Sequence, residues 1–268
     1  MIGFKEKYGK TALIAGASEG IGAAFANSLA AKGMDLILIA RRPEPLHKLA
    51  EEIETVYKIN VTIISCDLSM PNAVDIIEDE LKGKEVDLLV YNAALSYIGP
   101  FADSSAENNS RITQVNMLTS LNMLNHFGCK MVARGRGAVV LMSSLAGFQG
   151  SGFLAVYAAT KAFNRILGES LWYEWKNKGV DVIACCAGAT STPGYLDSNP
   201  DKKNLFAPRV QAPCEVSSEC LKRIGKTPSF ITGRGNRFAS FVMQKLMPRK
   251  LAIKIMGDTT REMYRINF

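Results

Sequence analysis

The chain has 268 residues, 47% of them hydrophobic, enough for a substantial core in one α/β domain, so no second domain is required. No run of about 18 uncharged apolar residues argues for a spanning helix, and the opening MIGFKEKYGK is too polar for a signal peptide, so a cytoplasmic location is expected. The formal charge of +7 comes from basic residues dispersed along the chain until the last segment, which fits steering of an anionic small molecule and gives no reason to expect nucleic acid.

Taken in order, apolar runs at 11–16, 36–40, 61–66, 86–91, 138–143, 180–187 and 229–232 read as strands, with amphipathic stretches between nearly all of them. That alternation predicts an α/β chain with a doubly wound parallel sheet, whose ligands belong beyond the carboxyl ends of the strands. After the first strand, Gly16-x-x-x-Gly20-x-Gly22 opens a helix. Glycines there permit a tight turn and let the backbone around Ser18 and Ile21, with the helix N-terminus, approach a pyrophosphate. The spacing is not the Gly-x-Gly-x-x-Gly of many dinucleotide sites. The second strand ends LILIARR, with Ala40 where an acid would hydrogen-bond the ribose hydroxyls of NAD, and Arg41 and Arg42 behind it. Two cations favour the 2′-phosphate of NADP. Against this, two arginines before Pro43 could simply open a solvated loop, and Glu19 in the glycine loop would oppose a phosphate.

The segment Ser144–Lys161, SLAGFQGSGFLAVYAATK, holds the candidate chemistry. Tyr157 and Lys161 are four apart in an Ala-rich stretch, so on a helix the ammonium lies one turn from the phenol. A phenol titrates near ~10. A lysine cation and a positively charged nicotinamide beside it are expected to bring it down towards working range. Ser144 ends the apolar run AVVLMS, at the height where its hydroxyl could hold a substrate oxygen. The six cysteines lack zinc spacing and read as reduced, packed thiols. His47 and His126 fall in helical stretches, and no metal site is expected.

With Asn92-Ala93-Ala94 after the fourth strand, Asn116 in a long helix, and Ser144 thirteen residues before Tyr157, the chain resembles the short-chain dehydrogenase/reductase family from about residue 7 to about 233. The resemblance implies a Rossmann-type sheet and a set of roles. Asp67 and Leu68 meet the adenine, although Asp67 alone could be a helix cap before Pro71. Asn92 and Ala93 lie along the cofactor, with Ala94 replacing the family's glycine. Asn116 supports a water in a proton path that runs from Tyr157 through Lys161. In CCAGATST, Ala187 replaces a proline, Gly188 is retained, and Thr192 meets the nicotinamide amide. In the implied mechanism a ketone is held by Ser144 and Tyr157, hydride comes from NADPH, and Tyr157 protonates the oxygen while Lys161 lowers the phenol pKa and grips the nicotinamide ribose. The stretches KEKYGKTALIAGASEGIGAAFA, LAAKGMDLILIARR and GVDVIACCAGATSTP are similar to bacterial hydroxysteroid dehydrogenases of the 7β type. The first also resembles very-long-chain 3-oxoacyl-thioester reductases. A steroid-like ketone or alcohol is therefore expected first and an oxoacyl thioester second. A non-catalytic NADP-binding regulatory protein is the reading of another class, and it would need no proton donor.

Residues 190–213, rich in proline, read as a substrate lid, and Tyr195, Leu196, Leu205, Phe206, Phe148 and Phe153 either line an apolar pocket or pack on the scaffold. The segment 234–256 has six basic residues and no acidic one, with Phe238, Phe241, Val242, Leu246, Leu251, Ile253 and Ile255 interleaved. Within a C-terminal extension, 234–268, this reads as an amphipathic pair broken at Pro248 that covers the cleft or a subunit interface, in preference to a membrane-surface helix. The resemblance implies a homodimer or homotetramer built on long helices near 106–133 and 154–177.

Overall fold

A computed structural model describes residues 3–201 and 209–267. Its strands are β1 (Thr11–Ala15), β2 (Asp35–Ala40), β3 (Val61–Ser65), β4 (Leu88–Tyr91), β5 (Gly137–Ser144), β6 (Val180–Ala187) and β7 (Ser229–Ile231). They form one parallel sheet in the order β3-β2-β1-β4-β5-β6-β7. The order reverses direction about β1, so a crevice opens between the loops that leave β1 and β4. Register fixes the shape of that crevice. Ala15 lies opposite Ile39 and Tyr91, so β1, β2 and β4 end nearly level. Leu141 pairs with Tyr91 and Ala184, but β5 and β6 continue to the pair Ser144 and Ala187. These two strands therefore stand higher and wall the cleft.

The helices are α1 (Phe4–Tyr8), α2 (Gly20–Ala30), α3 (Pro43–Tyr57), α4 (Ala73–Leu81), α5 (106–134), α6 (Ala155–Trp175), α7 (Pro193–Asp197), α8 (Pro213–Arg223), α9 (Arg234–Phe241) and α10 (Arg249–Met263). Because strand side chains alternate between faces, neighbouring residues feed two cores. Ile14, Leu38 and Val90 pack with Phe25 and Leu29 of α2 and Leu46 and Ile53 of α3. Leu13, Ile37 and Leu89 pack with Ile77 of α4, Phe127 of α5 and Trp175 of α6. Each such fully buried side chain contributes about 2 kcal/mol relative to exposure.

Three features differ from the expectations above. α5 is not a regular helix, since Gln114–Leu118 and Leu124–Gly128 are wide π turns; the first carries Asn116, and such turns often lie at functional sites. The segment 190–213 is closed at its base by a bridge from Thr190 to Gln211, and it includes α7. Leu205, Phe206 and Pro208 lie outside the described residues. At the C-terminus the chain does break at Pro248, between α9 with its π-helical continuation Val242–Leu246 and α10. α10 lies on the loop after β5: Ile253 faces Gly150, the backbones of Gly152 and Gly257 meet, and Gln244 bonds Gln149 at 2.6 Å. Yet Phe238, Phe241, Leu246 and Leu251 remain exposed, so most of the large apolar residues of the stripe do not cover the cleft, and only Ile253 reaches the loop. That work falls to Ala252, Thr259, Thr260 and Met263, which are buried.

Candidate active site

The glycine turn is shaped by close approach. Gly16 has φ 80°, and a Cβ there would stand 2.7 Å from the Ala93 backbone; at Gly22 a Cβ would stand 1.9 Å from the Gly16 carbonyl oxygen. Only hydrogen fits at either position. Asn92 Nδ2 donates to that same carbonyl at 2.8 Å, while Asn92 N and Ala93 N both donate to Ala15 O. Gly20 faces Thr192, which caps α7 by accepting from Tyr195 N at 3.2 Å. Ser18 and Ile21 are half-buried at the mouth of the turn. Thus Gly16, Ser18, Gly20, Ile21, Gly22, Asn92, Ala93 and Thr192 are brought to one rim of the cleft. The result is an N–H-lined cradle at the start of α2, which fits a dinucleotide pyrophosphate. Gly188 also has no room for a side chain, because Asn236 Nδ2 would lie 2.3 Å from a Cβ. Asn236 is itself held by Gln211 and by the Thr232 carbonyl.

At the end of β2 the two arginines part. Arg42 pairs with Glu19 at 2.5 Å, which neutralises the carboxylate that would have opposed a phosphate. Arg41 is exposed and in no ion pair among the described residues, with its carbonyl accepting from Ser65 Oγ at 3.2 Å. Asp67 Oδ1 accepts from Ser69 N and Ser69 Oγ at 2.9 and 2.8 Å. Burial would raise its pKa, but these two bonds, with the charges of Arg111 and Arg41, hold it below the usual carboxylate range. The Leu68 carbonyl accepts from Thr119 Oγ1 at 2.8 Å.

Ser144, Tyr157 and Lys161 converge at the carboxyl end of β5. The Ser144 hydroxyl accepts from Ala146 N at 3.2 Å and lies beside the Tyr157 phenol, whose pKa it acts to lower. Lys161 is 3% exposed; its Nζ donates to Met142 O at 3.0 Å and lies 5.6 Å from the centre of the Tyr157 ring. Its carbonyl accepts from Ser143 Oγ at 2.7 Å, which ties α6 to β5. Asn116 is fully buried and fully used. Its Nδ2 donates to Leu95 O at 2.9 Å and to Thr160 Oγ1 at 3.0 Å, and its Oδ1 accepts from Leu95 N at 2.8 Å.

The two ionisable groups of the cluster are both governed by burial. In this chain the Tyr157 phenol is raised, by burial first and by the neighbouring Tyr264, with the Ser144 bond pulling the other way. The Lys161 ammonium is not among the groups that shift it in the chain by itself. The lysine is instead pushed from 10.5 to about 8 by its own burial, because its ammonium turns under the strand to the Met142 carbonyl. Tyr157 therefore keeps its proton at neutral pH, as a general acid must.

A family model of the short chain dehydrogenases matches residues 10–203. The chain belongs to that family. A 7beta-hydroxysteroid dehydrogenase of Mediterraneibacter gnavus is 33% identical over 87% of this chain and 89% of its own. The human protein named inactive hydroxysteroid dehydrogenase-like protein 1 is 34% identical over 92% of this chain and 74% of its own. Among solved structures, one described in work on 7beta-hydroxysteroid dehydrogenase stereoselectivity superposes with a TM-score of 0.88 at 30% identity, covering 95% of this chain and 99% of that one.

Around this short chain dehydrogenase site the structure places residues that the motifs do not name. Asn164 Nδ2 donates to the Asn116 carbonyl at 3.1 Å and its Oδ1 accepts from Ser120 Oγ at 3.0 Å, which makes it the second buried asparagine linking α5 to α6. A signal was present, since Asn164 follows Lys161 by three residues on the same buried helical face. Tyr264 gave none. It follows α10, where Asp201 N donates to Met263 O at 2.7 Å, and it stands near both Tyr157 and Tyr195, opposing the ionisation of each. A small cavity of about 10 Å³ beside Tyr157 is lined by Tyr97, Phe101, Ser104, Asn109, Ile112 and Val156. Phe153, which also lines it, holds φ 64°, a conformation that costs a non-glycine residue about 1 kcal/mol or more. Phe148 does not line it; its ring stacks under the Arg165 guanidinium at 4.5 Å.

Proposed function

We propose that this chain interconverts a bulky lipophilic ketone and its secondary alcohol using NADP(H), in the manner of a hydroxysteroid dehydrogenase. The observation that carries this reading is the convergence of Ser144, protonated Tyr157 and buried Lys161 at the end of β5, beside the glycine cradle.

Gly16, Ser18, Gly20, Ile21 and Gly22 hold the pyrophosphate, with Asn92, Ala93, Gly188 and Thr192 along the nicotinamide half and Asp67 and Leu68 on the adenine half. Arg41 meets the 2′-phosphate, because Arg42 already serves Glu19. The bound dinucleotide supplies or accepts the hydride. Ser144 Oγ orients the carbonyl oxygen, and Tyr157 Oη gives that oxygen its proton in reduction or takes it back in oxidation. Lys161 keeps a cation beneath the site, where it binds ribose hydroxyls. Asn116, held by Thr160 and Asn164, fixes the wide turn of α5 against α6 and continues the polar path. Residues 190–213 act as the lid, and 234–268 roofs the cleft through α10, all within one domain. Exposed Leu118 on α5, with Ile166 and Tyr173 on α6, provides the face for a homodimer or homotetramer.

The test is NADPH oxidation against a panel of keto-steroids, keto bile acids and 3-oxoacyl thioesters, with wild type and Tyr157→Phe. Turnover of the steroids, reduced at least ~100-fold in the variant while NADPH still binds, is the expected result. Turnover of oxoacyl thioesters alone would overturn the substrate assignment. Retention of more than roughly a tenth of the wild-type rate by Tyr157→Phe would overturn the assignment of the acid.

A further inference from the structure

The C-terminal pair of helices uses only one side to cover the cleft. Along the other side of α9 and its continuation, Arg234, Phe238, Phe241 and Lys245 follow one another at helical spacing, all exposed, with Phe238 at 71% and Phe241 at 54%. Across the Pro248 break, Leu246 is 68% and Leu251 45% exposed, next to exposed Arg249 and Lys250. The acids that border this stretch are already committed. Glu219 binds Arg237 and Arg223, and Asp258 binds Lys254 and Arg261. Arg234, Lys245, Arg249 and Lys250 form no ion pair among the described residues. Large apolar side chains rimmed by uncommitted cations are unfavourable in water. They would also repel a second copy of the same patch. The surface they complement is anionic and has an apolar layer just beneath it, where rings enter the headgroup region and the cations meet phosphates.

We propose that the exposed face of α9 and α10 is a docking surface for anionic phospholipid membrane. The helices lie in the interface and do not cross it, since among the described residues no helix is long and apolar enough to span a bilayer. The inference stands on this patch alone and does not depend on which carbonyl is reduced. Because the opposite side of α10 roofs the catalytic cleft, docking would bring the cleft next to a store of lipophilic molecules.

Flotation of the full chain with phosphatidylcholine vesicles, and with vesicles containing phosphatidylglycerol, tests it. Binding is expected only to the anionic vesicles, and it should be lost in about 1 M salt, where the Debye length is ~3 Å. Two double variants, Phe238→Ser with Phe241→Ser and Lys245→Gln with Lys250→Gln, should each weaken binding by roughly tenfold or more. NADP(H)-linked activity on a water-soluble ketone should be unchanged in both and serves as the control for folding. Protein that stays soluble with anionic vesicles at low salt would overturn the proposal, as would equal flotation with phosphatidylcholine alone. Dissociation of an oligomer by the phenylalanine pair in sedimentation equilibrium would also overturn it, by assigning the face to a second copy of this chain.

Discussion

Replacing Lys161 with methionine should make the cofactor-free chain more stable while removing its activity. Burial brings this ammonium from 10.5 to about 8, with only the nearby Cys186 acting in the opposite sense. At about pH 7 the lysine is charged in both folded and unfolded states, so folding must bury a cation at a cost of about 3 kcal/mol, from roughly 1.4 kcal/mol per tenfold change in proton affinity. Between pH 8 and 10.5 the unfolded chain holds more of this proton than the folded one, so stability rises with pH through that window. By about pH 9.5 the cost has fallen to about 1.5 kcal/mol. Methionine fills nearly the same space without charge, but it leaves the Met142 carbonyl one donor short, which costs about 1 kcal/mol. Urea unfolding should therefore show Lys161→Met more stable than wild type by about 2 kcal/mol at about pH 7, with a gap near zero at about pH 9.5. All other titrations are common to the two proteins and cancel. A variant less stable than wild type at the lower pH, or a gap that stays constant between the two, refutes the burial cost.

Arg41→Ala should weaken NADPH by about 10- to 100-fold with little change for NADH, the value of a charge-assisted bond to phosphate; equal losses in a fluorescence titration would remove Arg41 from the 2′-phosphate. Glu19→Gln frees Arg42 from its partner, so NADPH should bind several-fold tighter relative to NADH, within the range of an exposed ion pair. Weaker NADPH binding in that variant would mean that the Glu19–Arg42 pair helps the site. Gly22→Ala forces a methyl into the Gly16 carbonyl and should lower stability by about 3 kcal/mol and dinucleotide affinity by at least ~10-fold. Thermal unfolding unchanged from wild type would show that the turn has slack.

The seven strands were legible because each is a short apolar run, and the departures at their ends have local causes. The run 86–91 is regular strand only from Leu88, although the Asp87 backbone already bonds Thr11 O and Ala138 N and its buried carboxylate accepts from Lys10 N and Thr11 N at 2.7 and 3.0 Å. Gly16 leaves β1 because its φ of 80° cannot continue a strand. The positions of the cradle and of Ser144, Tyr157 and Lys161 were legible because spacing puts them at strand ends and on one helical face, while their roles came from the family resemblance. The π turns of α5 were not, since one extra residue per turn leaves the apolar periodicity almost intact. Nor was the lowered Lys161 pKa, because four-residue spacing gives the distance to Tyr157 but not the burial of the ammonium or the carbonyl to which it turns. The outward-facing Phe238 and Phe241 were hidden for a related reason. An amphipathic stripe looks the same whether it faces a cleft or solvent.

The close contact between Gly152 and Gly257 has a consequence for how such a protein can change. The ceiling above the reacting atoms is a separate helix that rests on backbone and is joined to the rest of the chain through Pro248. A single methyl at Gly152, whose Cβ would stand 3.1 Å from Gly257 Cα, would tilt that ceiling. Accommodation of wider or narrower molecules can thus drift through substitutions outside β5 and α6, which carry the Ser144, Tyr157 and Lys161 cluster, with Tyr264 as the link between the two.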